Sequence, residues 1–289
     1  MMSTAHYGAV GAFSRFFSWW AALLAMAFGL AAPSLQAAEN DIILPAHVQQ
    51  GAMVIGRVPV GSQVRYDGHV LNVSDYGTIV FGIGRDETRP RTIEVTLPSG
   101  VRQQASVTVT PRDWPIERVN GVPSSTVSPP PDIAARIGRE QAQVSAARTR
   151  NDNRTGFAQH FIWPVEGRIS GRFGRQRIYN GTPGSAHSGM DIAAPTGTPV
   201  RAPASGVITF ADPDLYLTGG TVLLDHGFGI SSNFLHLSAL DVSVGDTVTQ
   251  GQVIGRVGAT GRATGPHLHW GMSWFSTRID PLLVVKREE

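Results

Sequence analysis

Hydrophobic and polar positions change their pattern three times along the chain. After Arg15 no charge appears before Glu39, and Phe16 to Ala32 is a 17-residue apolar stretch followed by Pro33 and the small-residue segment Ser34-Leu35-Gln36-Ala37-Ala38. Residues 1–38 read as a secretory signal peptide, with an uncleaved membrane anchor as the alternative. Between Glu39 and Arg118 apolar and polar residues alternate, as in Gln63-Val64-Arg65-Tyr66 and Ser106-Val107-Thr108-Val109, with turns such as Asp67-Gly68 between the runs. Period-two alternation and tight turns predict six or seven strands, a small β-sandwich over 39–118. Residues 119–156 contain Pro123 and Pro129-Pro130-Pro131 and then a polar stretch. Here the spacing of Ile133, Ile137 and Val144 predicts one linker helix, with Asp132 as its N-cap. Past Phe157 short β-branched runs separated by glycines predict an antiparallel β domain over 157–285 with no long helix. The fold class is all-β.

Composition narrows the partners. The chain has 24 Lys plus Arg against 22 Asp plus Glu, a net of +2, too close to balance for nucleic-acid binding to be expected. Lys286 is the only lysine, so the basic groups are almost all guanidinium, which suits rigid carboxylate pairing. With no Cys, disulfides, thiolate metal sites and cysteine nucleophiles are excluded together, and an oxidising compartment outside the cytoplasm is compatible. Any membrane contact is expected only through the signal segment or anchor.

The remaining chemistry lies in histidines. Five of the nine fall between His187 and His269, three of them in the patterns His187-Ser-Gly-Met-Asp191 and His267-Leu-His269. Residues two apart on a strand share a face with Cα atoms ~6.5 Å apart, so His267 and His269 can address one metal and its surroundings, one as ligand and one in proton transfer. His187 and Asp191 would be ~13 Å apart on a straight strand, so the chain has to bend between them, and Gly189 is the cheapest place. Two imidazoles and one carboxylate suit zinc with an open fourth position. His47 and His69 are read as surface or packing residues. Val244 to Gly255 resembles a lipoyl-type hairpin but has no lysine nearby. The run Gly255 to Gly265 lacks the ending of a phosphate loop and is read as the turn presenting His267.

These motifs, with Gly171-Arg172-Phe173-Gly174, Gly197-Thr198-Pro199-Val200, Asp225-His226-Gly227, His236-Leu237-Ser238 and Gly258-Ala259-Thr260-Gly261, make residues 161 to 281 resemble the lysostaphin-type, or LytM-type, zinc endopeptidases of peptidoglycan. The resemblance implies Zn2+ held by His187, Asp191 and His269. It implies His267 as general base and His236 as hydrogen-bond donor to the oxyanion, while His226 is structural. Asn233-Phe234 ahead of His236 departs from the usual pattern and bears on cleft shape. Peptidoglycan stem peptides are the implied substrate, with the D-Ala to diaminopimelate link preferred, in the periplasm or cell envelope. Two other functions stand beside it: a non-catalytic envelope regulator that activates a wall amidase, and a secreted protease for Gly-rich proteins. The upstream β module or linker, covering the cleft, leaves room for a regulatory protein partner.

Overall fold

The signal segment read over residues 1–38 lies outside the residues described by the computed structural model, which are 41–285. Among the described residues no helix is long and apolar enough to cross a membrane.

Alternation in the N-terminal stretch becomes β1 (His47–Gln49), β2 (Met53–Arg57), β3 (Gln63–Tyr66), β4 (His69–Leu71), β5 (Thr78–Gly82), β6 (Arg91–Thr96) and β7 (Arg102–Thr110). On β3, Val64 and Tyr66 point inward while Gln63 and Arg65 face water, and Ile93, Val95, Val107 and Val109 repeat this on β6 and β7. A five-stranded sheet, β1-β7-β6-β3-β4, shares its core with the β2–β5 pair, making a small sandwich. Asp67 and Gly68 both take positive φ, 47° and 78°, and close the β3–β4 hairpin, the role the Asp-Gly pair favours. The next strand, β8 (Ile116–Val119), leaves this sheet and pairs in parallel with a strand of the C-terminal region.

The linker helix is α1 (Pro131–Ala147). Its N-cap is Pro130, which provides no side-chain cap, so Asp132 is not the cap expected from the sequence. It lies in the first turn, where its charge still complements the helix dipole. Ile133, Ile137 and Val144 are half-buried, and Glu140 links the helix to the β domain by accepting a hydrogen bond from the Tyr216 backbone N–H at 2.8 Å.

The C-terminal region contains β9 (Arg168–Gly171), β10 (Gln176–Tyr179), β11 (Thr182–Ala186), β12 (Gly189–Ala193), β13 (Pro199–Arg201), β14 (Gly206–Leu215) and β15 (Gly219–Gly227). It continues through β16 (Ile230–Leu237), β17 (Ala239–Leu240), β18 (Thr247–Val248), β19 (Val253–Arg256), β20 (His267–Trp274), β21 (Thr277–Ile279) and the single turn of α2 (Pro281–Val285). Its main sheet runs β18-β14-β15-β16-β20-β12-β9 with β21 beside β20, and all its pairs are antiparallel. β10 joins β11 on one side and β8 on the other, so a strand from the N-terminal stretch borders the region that carries the histidine motifs.

Aromatic and ionic contacts hold the N-terminal sheet against the β20–β21 end. The His69 ring stacks on Phe275 at 4.8 Å, Tyr66 lies 5.3 Å from Trp274, and Arg112 pairs with the buried Asp280 at 2.8 Å. His69 is thus a packing residue, and His47 is exposed.

Candidate metal centre

Strand register assembles the cluster. In the β12–β20 ladder Asp191 is directly opposite His269 and Ala193 is opposite His267. Met190 and Ile192 face the apolar core on the alternate positions of β12. His187 comes from the short connection ahead of β12, tied by its backbone to Gly174 and Arg175. The bend between His187 and Asp191 therefore falls at His187–Ser188, not at Gly189, which is already in the strand and has no positive φ. Gly189 is needed for a different reason: a Cβ there would lie 2.5 Å from the Trp270 carbonyl oxygen and 2.7 Å from His269 Nε2. Gly171 gives similar clearance, since its Cβ would lie 2.5 Å from Asp191 Oδ2.

Three ligand-type atoms converge. Asp191 Oδ1 is 3.0 Å from His187 Nε2 and 2.8 Å from His269 Nδ1, and those two nitrogens are 3.0 Å apart. All three side chains are buried. His187 Nδ1 lies 3.0 Å from the Arg172 carbonyl oxygen, which can only accept, so the proton sits on Nδ1 and Nε2 points a lone pair at the carboxylate. Burial, partly offset by Asp191, lowers His269 to about 4, so this ring is neutral near pH 7. For Asp191, burial favours the neutral acid, but its close polar contacts with the His187 and His269 rings outweigh it and hold the carboxyl well below its usual range. Lone pairs and an anion facing one another in a dry pocket are the donor set of a cation, and the cluster can hold a metal ion.

His236 and His267 border the cluster. Their ring centroids are 4.8 Å apart, and His267 Nε2 is 3.8 Å from Asp191 Oδ1. His236 is the penultimate residue of β16 and has a positive φ of 65°, held by its N–H to Thr218 O at 2.8 Å. Both rings donate Nδ1–H to carbonyls at 2.8 Å, His236 to Thr260 and His267 to Gly265, leaving both Nε2 atoms as acceptors. Burial first, then the charge of His267 and His269, pushes His236 down to about 3. With Nδ1–H committed to Thr260, a neutral His236 presents Nε2 as an acceptor towards the cluster. His226 is elsewhere, within hydrogen-bonding distance of Ser205 O and Ser232 Oγ under the Phe161 ring.

The sequence reading missed the arginines. Arg177 on β10 donates to Asp191 Oδ2 at 2.5 Å, while its Nε donates to Glu117 on β8 at 2.9 Å. Oδ1 of Asp191 is thus left for the histidines, and the guanidinium connects the cluster to a strand about 70 residues upstream. A cavity of about 580 Å³ opens beside the cluster; His187, His236 and His269 line one side and Val144 and Arg148 of the α1 region another. The near-absence of lysine was the available signal for these arginines, but it did not say which ones.

Residues 185–281 match the profile of peptidase family M23. Over 167 residues the chain is 35% identical to the cell division protein DipM of Caulobacter vibrioides, covering 56% of this chain and 26% of the relative. Over 111 residues it is 41% identical to the peptidoglycan DD-endopeptidase ShyA of Vibrio cholerae, covering 37% of this chain and 26% of that one. The chain thus spans about a quarter of the length of these curated relatives. A crystal structure assigned to peptidase M23 from Pseudomonas aeruginosa superposes with a TM-score of 0.64 and 33% identity, covering 82% of this chain and 94% of that one. Since that likeness takes in nearly the whole of the solved chain as well as the histidine motifs, this chain belongs to peptidase family M23.

Proposed function

We propose that this protein is a zinc-dependent endopeptidase of peptidoglycan cross-links that works in the periplasm or cell envelope. In this reading His187 Nε2, Asp191 Oδ1 and His269 Nδ1 hold the zinc. The observation that carries the reading is the convergence of those three atoms within 3.0 Å of one another, next to two further imidazoles whose Nε2 atoms are free acceptors. A regulator has no use for this complement, so the hydrolase reading is favoured.

A zinc ion held there supplies Lewis acidity, which acidifies water and polarises a peptide carbonyl. The chain's own residues do the rest. A water has two protons, and two acceptors whose rings are 4.8 Å apart suit both. His267 takes the proton as general base and His236 orients the other. The Gly265 and Thr260 carbonyls fix both rings, so neither has to reorient before reaction. The imidazolium formed at His267 then returns its proton to the leaving amine. Arg177 keeps Asp191 charged and directed.

The similarity to ShyA, a peptidoglycan DD-endopeptidase, favours the D-Ala to diaminopimelate link over pentaglycine, an argument by analogy. The test combines elemental analysis with digestion of purified sacculi and, separately, of pentaglycine. One zinc per chain and release of monomeric muropeptides from sacculi are expected. Metal-replete protein that leaves every cross-link intact, or purified protein without a stoichiometric divalent ion, overturns the proposal.

A further inference from the structure

Four arginines line the cavity beside the histidines: Arg148, Arg177, Arg262 and Arg278. Two are engaged. Arg177 is held between Glu117 and Asp191, and Arg262 stacks over Tyr179 at 4.3 Å and donates to Thr126 O at 3.0 Å. The other two are not. Nε of Arg148 and Nη1 of Arg278 are buried with no hydrogen-bond partner, and neither guanidinium has an ion pair among the described residues. Burial and then the neighbouring Arg278 charge pull Arg148 down to about 9, and burial also lowers Arg278. A guanidinium keeps its proton inside a protein, so two like charges withdrawn from water call for an anion. Among the described residues this wall offers no free anion: Glu140, the carboxylate lining the cavity, is taken by Arg136 at 2.6 Å and the Tyr216 N–H at 2.8 Å.

We propose that Arg148 and Arg278 form a carboxylate-binding subsite, which takes a free carboxylate that the substrate carries beside its scissile bond. Arg148 follows the last turn of α1 and Arg278 is on β21, so the linker helix forms part of the substrate site in addition to walling the cavity. Planar guanidinium forks match a carboxylate with paired hydrogen bonds. The inference rests on the endopeptidase reading and deepens it. In a D-alanyl-diaminopimelate link the carbon bearing the scissile nitrogen also bears a free carboxylate, whereas a glycine within a pentaglycine bridge has none.

The test compares a cross-linked muropeptide dimer with the same dimer amidated at that carboxylate. For the wild-type protein amidation should lower kcat/KM roughly 10- to 100-fold, the scale of a charge-assisted hydrogen-bond pair. In R148Q and R278Q the two substrates should converge, and R278K should recover part of the discrimination. A second measurement needs neither turnover nor variants: metal-free wild-type protein titrated with the tetrapeptide muropeptide should bind the free acid more tightly than the amide. Equal cleavage of both dimers together with equal binding overturns the subsite while leaving the endopeptidase reading intact. Selective binding of the acid without cleavage of either dimer overturns the endopeptidase reading while the subsite stands.

Discussion

Asp191 and His269 face each other across the β12–β20 ladder, with Asp191 Oδ1 2.8 Å from His269 Nδ1. One backbone register thus sets the carboxylate against the imidazole, and the remaining histidine of the cluster has only to arrive from the loop before β12. His269→Ala and Asp191→Ala should each abolish stoichiometric zinc and muropeptide release together. His267→Ala should retain zinc and lose roughly 10² to 10⁴ in turnover, the usual scale of a general base. Elemental analysis beside a sacculus digest separates the two classes, and an active His269→Ala protein would refute the ligand assignment.

Arg177 reads the other oxygen of the same carboxylate. Outer partners of metal ligands commonly set affinity by 10- to 100-fold. Arg177→Met should weaken zinc binding by about that factor, and Glu117→Gln, one bond further out, by less. Competition against a chromogenic chelator measures this directly, and unchanged affinity in both variants would remove Arg177 from the metal's support.

Gly189→Ala introduces one methyl group where the Trp270 carbonyl oxygen would lie 2.5 Å away and Gly271 Cα 2.8 Å away. Both neighbours are backbone of β20, so neither can rotate aside. The strand has to shift, costing about 1–3 kcal/mol as overpacking does and drawing Asp191 off register with His269. A lower thermal midpoint with reduced zinc content is expected; a fully stable, metal-replete variant would show that β12 has slack.

Acid stability of the metal-free protein should depend on two adjacent residues with opposite effects. Burial lowers His226 from 6.5 to about 4, so the unfolded chain takes up this proton first. Its contribution is complete above 6.5 and is lost as pH falls towards 4. Burial raises Asp225 from 3.8 to about 6, so the folded chain takes up that proton first and gains stability as pH falls from 6 to 4. Asp225→Asn removes this offset and should steepen acid destabilisation by about 3 kcal/mol across that window, while His226→Gln should flatten it. Urea midpoints at pH 7, 6, 5 and 4 give the slopes, and parallel slopes for wild type and Asp225→Asn would contradict the assignment.

Arg112 donates to the Gln50 carbonyl at 2.9 Å, stacks on Trp114 at 4.6 Å and pairs with Asp280, whose side chain is 3% exposed. Removing the cation strands a buried carboxylate. Arg112→Ala should lose about 3 kcal/mol, read as a lower thermal midpoint, with activity preserved below it because the pair makes no contact with the histidine cluster. Loss of activity without loss of stability would be the contrary result.

Local order in the sequence was enough for the strands, for the Asp67-Gly68 hairpin and for the two motifs His187-Ser-Gly-Met-Asp191 and His267-Leu-His269. Each depends on periodicity or spacing within a few residues, which the chain expresses wherever it folds. Local order misled at Asp132, because a run of prolines had already set the helix start at Pro130, and at Gly189, because the need for a glycine came from a strand some 80 residues away. The direction of the His236 proton depended on the Thr260 carbonyl, likewise remote. Arg177 found Glu117 and Asp191, and Arg148 and Arg278 were left without an anion among the described residues, because a guanidinium's partner is chosen by burial and by what tertiary packing brings within about 3 Å. No short stretch of sequence encodes that distance. The side-chain types at the centre were legible from the one-dimensional order; their charge states, and the arginines set beside them, were decided only when β8, β10, β12, β20 and α1 met.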